Sequence, residues 1–307
     1  MSDLDLGLAV KVGGVSFRNP LIAASGTFGN GLDYTDLYPA DTLGGISCKG
    51  LTLEPRPGNP CPRIAETASG MLNSVGLQNY GAVAFIREIL PAAKKTGSVI
   101  IANIAGSSID DYAKLAYKLD GTDVDMLEVN VSCPNVKEGG ASFGVTAAGT
   151  AAVTKAVRKA TTKPVMVKLT PNVTDITETA RAAESEGADA VSLINTLLGM
   201  KIDIKTRKPV LRNNTGGLSG AAVFPVALRM VWQTARAVKI DVVGLGGITT
   251  AEDVIAMMLA GAKAVQIGTA IISDPFAPRR ILTELADYLT ENNIGRLSEL
   301  TGKLEVY

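Results

Sequence analysis

Gly187-Ala188-Asp189-Ala190-Val191 and Gly261-Ala262-Lys263-Ala264-Val265 are two copies of one junction. Each places a glycine directly after an amphipathic stretch and then opens a short apolar run, the pattern of a helix ending and a parallel strand beginning. Working outward from this pair, eight strand-like runs can be marked: Pro20–Ser25, Gly45–Lys49, Val99–Ala105, Met126–Ser132, Pro164–Thr170, Ala190–Asn195, Val242–Gly247 and Ala264–Ala270. Most are continuous aliphatic runs, as parallel strands covered on both faces require. Helical spacing fills most of the gaps. Asp110–Leu119 aligns Tyr112, Leu115, Ala116 and Leu119, and Thr146–Ala160, Ile176–Glu186, Phe224–Val238, Ala251–Leu259 and Pro278–Leu289 behave alike. Eight βα-type units in 307 residues predict an α/β fold, a (β/α)8 TIM barrel with decorated βα loops at its C-terminal face. A doubly wound open sheet is the alternative. No stretch has linker composition, so residues 1–307 read as a single domain. Glu54–Arg63, rich in proline and glycine, and Thr196–Gly217 read as long loops at the barrel mouth.

Composition narrows the chemistry. Lys+Arg and Asp+Glu are both 30, so no excess charge calls for nucleic acid or an anionic membrane. No apolar run approaches the roughly 18 residues of a membrane span. Met1-Ser2-Asp3-Leu4-Asp5 lacks a signal-peptide pattern. Three widely spaced cysteines, Cys48, Cys61 and Cys133, give neither a disulfide framework nor a metal motif, which predicts a reducing cytoplasm. Histidine is absent, which excludes His-based triads, His-ligated zinc and His general bases. Acid–base work falls to Cys, Lys, Asp, Glu, Tyr or a cofactor.

Barrels of this kind place their chemistry at the C-terminal strand ends. Here those ends carry Ser25-Gly26, Cys48-Lys49-Gly50, Asn103, Asn130 to Cys133, Lys168, Asn195-Thr196, Gly246-Gly247 and Gly268-Thr269. One such lysine can simply snorkel to solvent. Two lysines and three asparagines on one rim are costly to bury without polar partners, and they match the donors and acceptors of a planar heterocycle. Asn130-Val131-Ser132-Cys133-Pro134-Asn135 places a thiol where a strand stops, because Pro134 cannot donate to a ladder. Alone, that thiol also reads as a small buried cysteine before a turn. The stretch Lys137 to Gly144, with two adjacent glycines, reads as a mobile cover.

Gly244-Leu245-Gly246-Gly247-Ile248-Thr249-Thr250-Ala251-Glu252-Asp253 leads from the seventh strand into a helix, with Thr249 and Glu252 at capping-box spacing. Paired glycines let backbone N–H groups approach an anion, and Gly268-Thr269 offers a second nest. The loops after strands seven and eight are a recurrent phosphate site in this barrel. The glycines also have a purely conformational reading. The run is not a dinucleotide fingerprint, since from Gly244 the third glycine position is Thr249, so NAD is not placed here. A phosphorylated cofactor across the mouth, with Lys168 a cation beside its ring, fits a flavin mononucleotide.

At this point the chain resembles a known family. Ala24-Ser25-Gly26-Thr27-Phe28-Gly29, Glu66 through Asn79, Asn130 through Asn135, Val167 through Asn172, Ile194-Asn195-Thr196 and Thr215 through Gly220 are similar, in order, to motifs of dihydroorotate dehydrogenase, class 1B catalytic subunit. The similarity runs from about Val15 to Pro275. It implies an FMN enzyme of pyrimidine biosynthesis that oxidises dihydroorotate to orotate. Carried over, Cys133 is the catalytic base, removing a proton from C5 while the C6 hydride passes to the flavin. Ser25, Lys49, Gly50, Asn103, Asn130, Lys168, Ile194, Gly220, Gly246, Gly247, Gly268 and Thr269 match the family's FMN positions. Lys49, Asn73, Ser74, Val75, Gly76, Leu77, Asn130, Asn135, Asn195 and Thr196 match its substrate positions. The resemblance assigns no metal to this chain.

Class 1A relatives, homodimers that reduce fumarate, tend to read Leu-Gly-Ser-Ile-Asn-Ser-Met-Gly-Leu-Pro-Asn where this chain runs from Ala68 to Asn79. The difference favours class 1B, whose acceptor is NAD+. The resemblance then implies a partner subunit carrying FAD and a [2Fe–2S] cluster, in a heterotetramer of two subunits of each kind. The competing readings are a fumarate-reducing class 1A enzyme, a flavin barrel acting on another dihydropyrimidine, and a non-redox barrel that binds a sugar phosphate. Cys48 and Cys61 read as structural.

Overall fold

The computed structural model describes residues 7–132 and 143–307. Cys133, Asn135 and the 137–142 part of the expected cover lie outside the described residues.

Eight parallel strands close into a barrel. They are strand one Leu21–Ala23, two Gly45–Ser47, three Val99–Ile104, four Met126–Asn130, five Val165–Lys168, six Ala190–Leu193, seven Asp241–Leu245 and eight Ala264–Ile267. Each pairs with its neighbours in chain order, and strand eight returns to strand one through Val265–Leu21, Gln266–Ile22 and Ile267–Ala23. The (β/α)8 barrel is the observed fold, and the open sheet is not. Ile22, Ile46, Ile101, Leu127, Val167, Val191, Val243 and Val265 are fully buried, as the continuous apolar runs required. Every strand stops short of its apolar run at the C-terminal end. The residues left over form the mouth.

The surrounding helices begin where their side chains can cap them. Ser108 and Asp111 form a capping box for Ile109–Asp120, Thr146 accepts from the Gly149 N–H, and Asp175 from the Thr177 N–H. The helix Ala251–Leu259 has its box one residue later than the spacing suggested. Thr250 is the extended residue, its hydroxyl accepts from Asp253 N–H, and Asp253 accepts back from Thr250 N–H. Thr249 instead donates both N–H and hydroxyl to Asp253. The repeated junction glycines are used as expected: Gly187 has φ +87° and Gly261 +115°.

Three features depart from the sequence reading. A helical segment, Gly81–Ala84, Phe85–Ile89 and Leu90–Lys94, joins strands two and three. Its middle is a π turn, which shifts the apolar register and blurs the 3.6-residue period. Thr196–Gly217 is not simply a loop. Leu197–Gly199, Gly216–Ser219, Gly70–Asn73 and Ile64–Thr67 form, in that order, an antiparallel sheet over the mouth, and Ile202–Asp203 pairs with Lys208–Pro209. An N-terminal hairpin, Val10–Val12 with Val15–Phe17, turns through Gly13 and Gly14 at φ +54° and +84°. No helix among the described residues is long and apolar enough to cross a membrane.

Candidate active site

The interior of the barrel is polar where most such barrels are aliphatic. The even strands contribute Ser47, Glu128, Ser192 and Gln266, the four-residue layer that alternate strands supply in this architecture. Glu128 is fully buried. Its carboxylate accepts from Ser47 Oγ at 2.7 Å, Asn103 Nδ2 at 2.6 Å, Ser192 Oγ at 2.8 Å and Gln266 Nε2 at 2.5 Å. Lys168 Nζ lies 3.8 Å from Glu128 Oε2 and 3.4 Å from Gln266 Oε1. Burial alone would push the Glu128 carboxyl up. The Lys168 ammonium, with the Ser47, Gln266 and Asn103 hydrogen bonds, outweighs burial and holds it below its ordinary value. Sequence reasoning read Met126-Leu127-Glu128-Val129 as an apolar run and passed over the carboxylate within it. A charged residue inside a strand covered on both faces was the available signal, because it must be paired to be tolerated.

Asn103 is also fully buried, and it is inside the strand rather than at its end. Its Nδ2 is committed to Glu128, while its Oδ1 is buried with no hydrogen-bond partner among the described residues. A Cβ placed on Gly50 would come within 3.2 Å of that oxygen, 3.0 Å of Leu77 Cδ2 and 4.0 Å of Ser25 Oγ. Gly50 therefore keeps open the space in front of an unpartnered acceptor. Lys49 is beside this space, with Nζ 3.1 Å from where a Gly26 Cβ would be.

Above the polar layer is a cleft of about 730 Å³. Eight of the cofactor candidates line it: Ser25, Lys168, Ile194, Gly220, Gly246, Gly247, Gly268 and Thr269. Three substrate candidates, Asn73, Asn195 and Thr196, line it too. Asn73 is delivered by the antiparallel sheet, where Leu72 pairs with Leu218 and its own amide reaches Gly217 O at 3.5 Å. Asn130 joins Asn195, whose Nδ2 lies 3.3 Å from Asn130 Oδ1. Gly220, Gly246 and Gly247 have φ of +99°, +123° and +79°, a conformation side chains rarely adopt. Thr269 donates its hydroxyl to Ser219 Oγ at 2.8 Å. An adjoining cavity of about 500 Å³ continues along Gly247, Gly268 and Thr269 to Ser69 and Gly70, which lie in the Glu66–Asn79 motif but are not among the candidate site residues.

Ser74, Val75 and Gly76 are held differently. Asn59 donates its Nδ2 to Ser74 O and its backbone N–H to Val75 O, and a Cβ on Gly76 would meet Asn59. These three are tied to the Glu54–Arg63 loop, and Leu77 is the member of the stretch whose side chain reaches Gly50.

The sequence profile of dihydroorotate dehydrogenase matches residues 7–289. The chain belongs to the dihydroorotate dehydrogenase family. Among its relatives is a protein of Alkaliphilus oremlandii named dihydroorotate dehydrogenase B (NAD(+)), catalytic subunit, 52% identical over 297 residues, covering 97% of this chain and 98% of the relative. Proteins of the same name from Bacteroides fragilis, 52% identical, and Citrifermentans bemidjiense, 50% identical, align over 300 residues, 97% of this chain and 99% and 98% of theirs. Membership in the dihydroorotate dehydrogenase family agrees with the resemblance drawn from the motifs, and the polar barrel mouth is where its members' chemistry would lie.

Proposed function

We propose that this chain is the catalytic subunit of an NAD+-linked dihydroorotate dehydrogenase, oxidising (S)-dihydroorotate to orotate in pyrimidine biosynthesis with FMN on this chain. The observation that carries the reading is the Lys168–Glu128–Asn103 network beneath a glycine-lined cleft, in a chain matched by the family over residues 7–289. The residues fit FMN. The orphaned Asn103 Oδ1 offers an acceptor to a ring N–H, Lys168 offers a cation, and Gly246, Gly247, Gly268 and Thr269 suit a phosphate.

When bound, FMN supplies the two-electron acceptor for the C6 hydride. The chain's own residues do the rest. Lys49 pairs with the substrate carboxylate. Asn73, Asn130 and Asn195 meet the imide-like edges of the ring, with Ser74 to Leu77, Asn135 and Thr196 around them. Cys133 takes the C5 proton as a thiolate and holds it while the C5–C6 double bond forms. A partner subunit carrying FAD and [2Fe–2S] would supply the route for electrons to NAD+, in a heterotetramer of two subunits of each kind in the cytoplasm. The word "subunit" in the relatives' name favours such a partner.

The test is the visible spectrum of the purified chain, recorded anaerobically before and after dihydroorotate. A flavin spectrum that bleaches supports cofactor and substrate together, and a colourless chain that cannot be reconstituted with FMN refutes the reading. Cys133→Ala should keep its flavin and fail to bleach.

A further inference from the structure

We infer that Glu128 is a positioning residue of the flavin site: it holds the Lys168 ammonium in place, and it turns the Asn103 amide so that its carbonyl faces the cofactor. The inference rests on the flavin reading above and goes beyond it, because Glu128 has no place among the family-matched positions.

Among the described residues, Glu128 and Lys168 are the only charged side chains that are buried. A buried ammonium without an anion is severely destabilised, and removing one member of such a pair leaves the other uncompensated. Among the described residues, Gln266 Oε1 at 3.4 Å is the other near acceptor of Lys168. Gln266 is itself oriented by Glu128, since its Nε2 donates to Glu128 Oε1 and this turns its Oε1 toward Lys168. Asn103 is set in the same way. Its Nδ2 donates to Glu128 at 2.6 Å, which leaves Oδ1 as the atom presented toward Gly50 and Ser25. One carboxylate thus decides the polarity of both groups offered to the ring, a cation at Lys168 and an acceptor at Asn103.

Among the described residues, the remaining groups hydrogen-bonded to the pair carry no charge. Ser47, Ser192 and Gln266 face it from strands two, six and eight. Cys48 alternates to the opposite face and is packed in the hydrophobic core. Lys49, the nearest other charge on strand two's run, sits at the mouth beside Gly26. With four donors the carboxylate is saturated, so it has no free capacity to act as an acid or base.

The experiment uses flavin-loaded protein and reads the affinity for sulfite, which adds to oxidised flavin and is favoured by a nearby cation. Glu128→Gln and Lys168→Met should each weaken sulfite binding by on the order of tenfold. The double variant should lose far less than the two single losses combined, because Glu128 acts on sulfite affinity chiefly through the Lys168 cation. Unchanged or tighter sulfite binding in Glu128→Gln overturns the inference, as does additivity in the double variant. Where Glu128→Gln alone fails to fold, a double variant that folds supports the charge coupling, and a double variant that also fails reduces Glu128 to a core anchor. A wild-type chain without flavin would refute the flavin reading itself, a separate result seen before any variant is made.

Discussion

Ser132 Oγ donates to Asn130 Oδ1 at 2.8 Å, and the same hydroxyl accepts from Asn195 Nδ2. One serine therefore ties together two amides that come from different strand ends. Asn195 is further fixed by Thr196 N–H, which donates to its Oδ1 at 2.8 Å. An asparagine that must recognise a ring edge is useful only if its carbonyl and amino ends cannot exchange.

Ser132→Ala should loosen this arrangement without harming the fold. Each hydrogen bond lost is worth about 1 kcal/mol, so KM for dihydroorotate should rise roughly five- to thirtyfold. Flavin content should be unchanged. Steady-state kinetics beside the flavin-to-protein absorbance ratio checks both, and an unaltered KM would mean the two amides are held by other contacts.

The mouth glycines separate backbone need from ligand need. A Cβ on Gly247 would lie 2.7 Å from Phe224 N and 2.8 Å from Gly220 O, at φ +79°. Main chain cannot step aside, so Gly247→Ala should cost roughly 1–3 kcal/mol and lower Tm by several degrees. On Gly50 the methyl would meet the tip of Leu77 and the Asn103 oxygen, at 3.0 and 3.2 Å. Leu77 can shift, so Gly50→Ala should leave the Tm of the flavin-free chain within about 2 °C while reducing bound flavin. Thermal melts and flavin content distinguish the two.

The barrel was legible because parallel strands buried on both faces favour short, mostly aliphatic runs, and Val165–Lys168 and Ala264–Ile267 each follow the turn signals that open such a strand. The positive φ of Gly246 and Gly247 and the place of Asn130 and Asn195 at the strand ends were legible from local sequence, whereas Asn103 lies inside its strand. The sheet over the mouth was not. Its strands, Leu197–Gly199 and Gly70–Asn73 among them, are three or four residues long, and the sheet is completed only where Gly70–Asn73 pairs with Gly216–Ser219, far away in sequence. Glu128 was missed for a related reason. One charge in an apolar strand contributes little to a hydropathy pattern, and its meaning depends on Ser47, Asn103, Ser192, Gln266 and Lys168 converging from five other strands.

Asp120 makes stability depend on acid. Thr161 Oγ donates to its carboxylate at 2.7 Å and Thr162 N–H at 2.6 Å, joining the end of one helix to the turn after the next. The Thr161 hydroxyl, then the Thr162 N–H, lower its pKa to about 2. A carboxyl lowered by folding stabilises fully above its unfolded value near about 3.9, and that contribution is lost as pH falls toward 2. Asp120→Asn should therefore be less stable than the parent at pH 7, with the gap closing between about pH 4 and pH 2. Urea denaturation at the two ends of that range tests it, and a gap independent of pH would assign the effect to packing.

Cys48 works in the opposite direction. Its side chain is 1% exposed, and burial pushes its thiol up to about 12. A thiol raised by folding contributes fully below its unfolded value near about 8.5, and the contribution fades as pH rises toward 12, because only the unfolded chain can ionise it. Tyr38, also pushed up to about 12, enters only above the ordinary tyrosine value. Between pH 8 and about 9.5 the parent should thus lose stability to urea faster than Cys48→Ala does, even though the variant starts lower for its lost packing. Over the same range iodoacetamide should label exposed Cys61 and spare Cys48 in the folded protein. Labelling of Cys48 at the rate of Cys61 would mean that the strand-two edge opens far more readily than its burial implies, and the alkaline difference should then vanish as well.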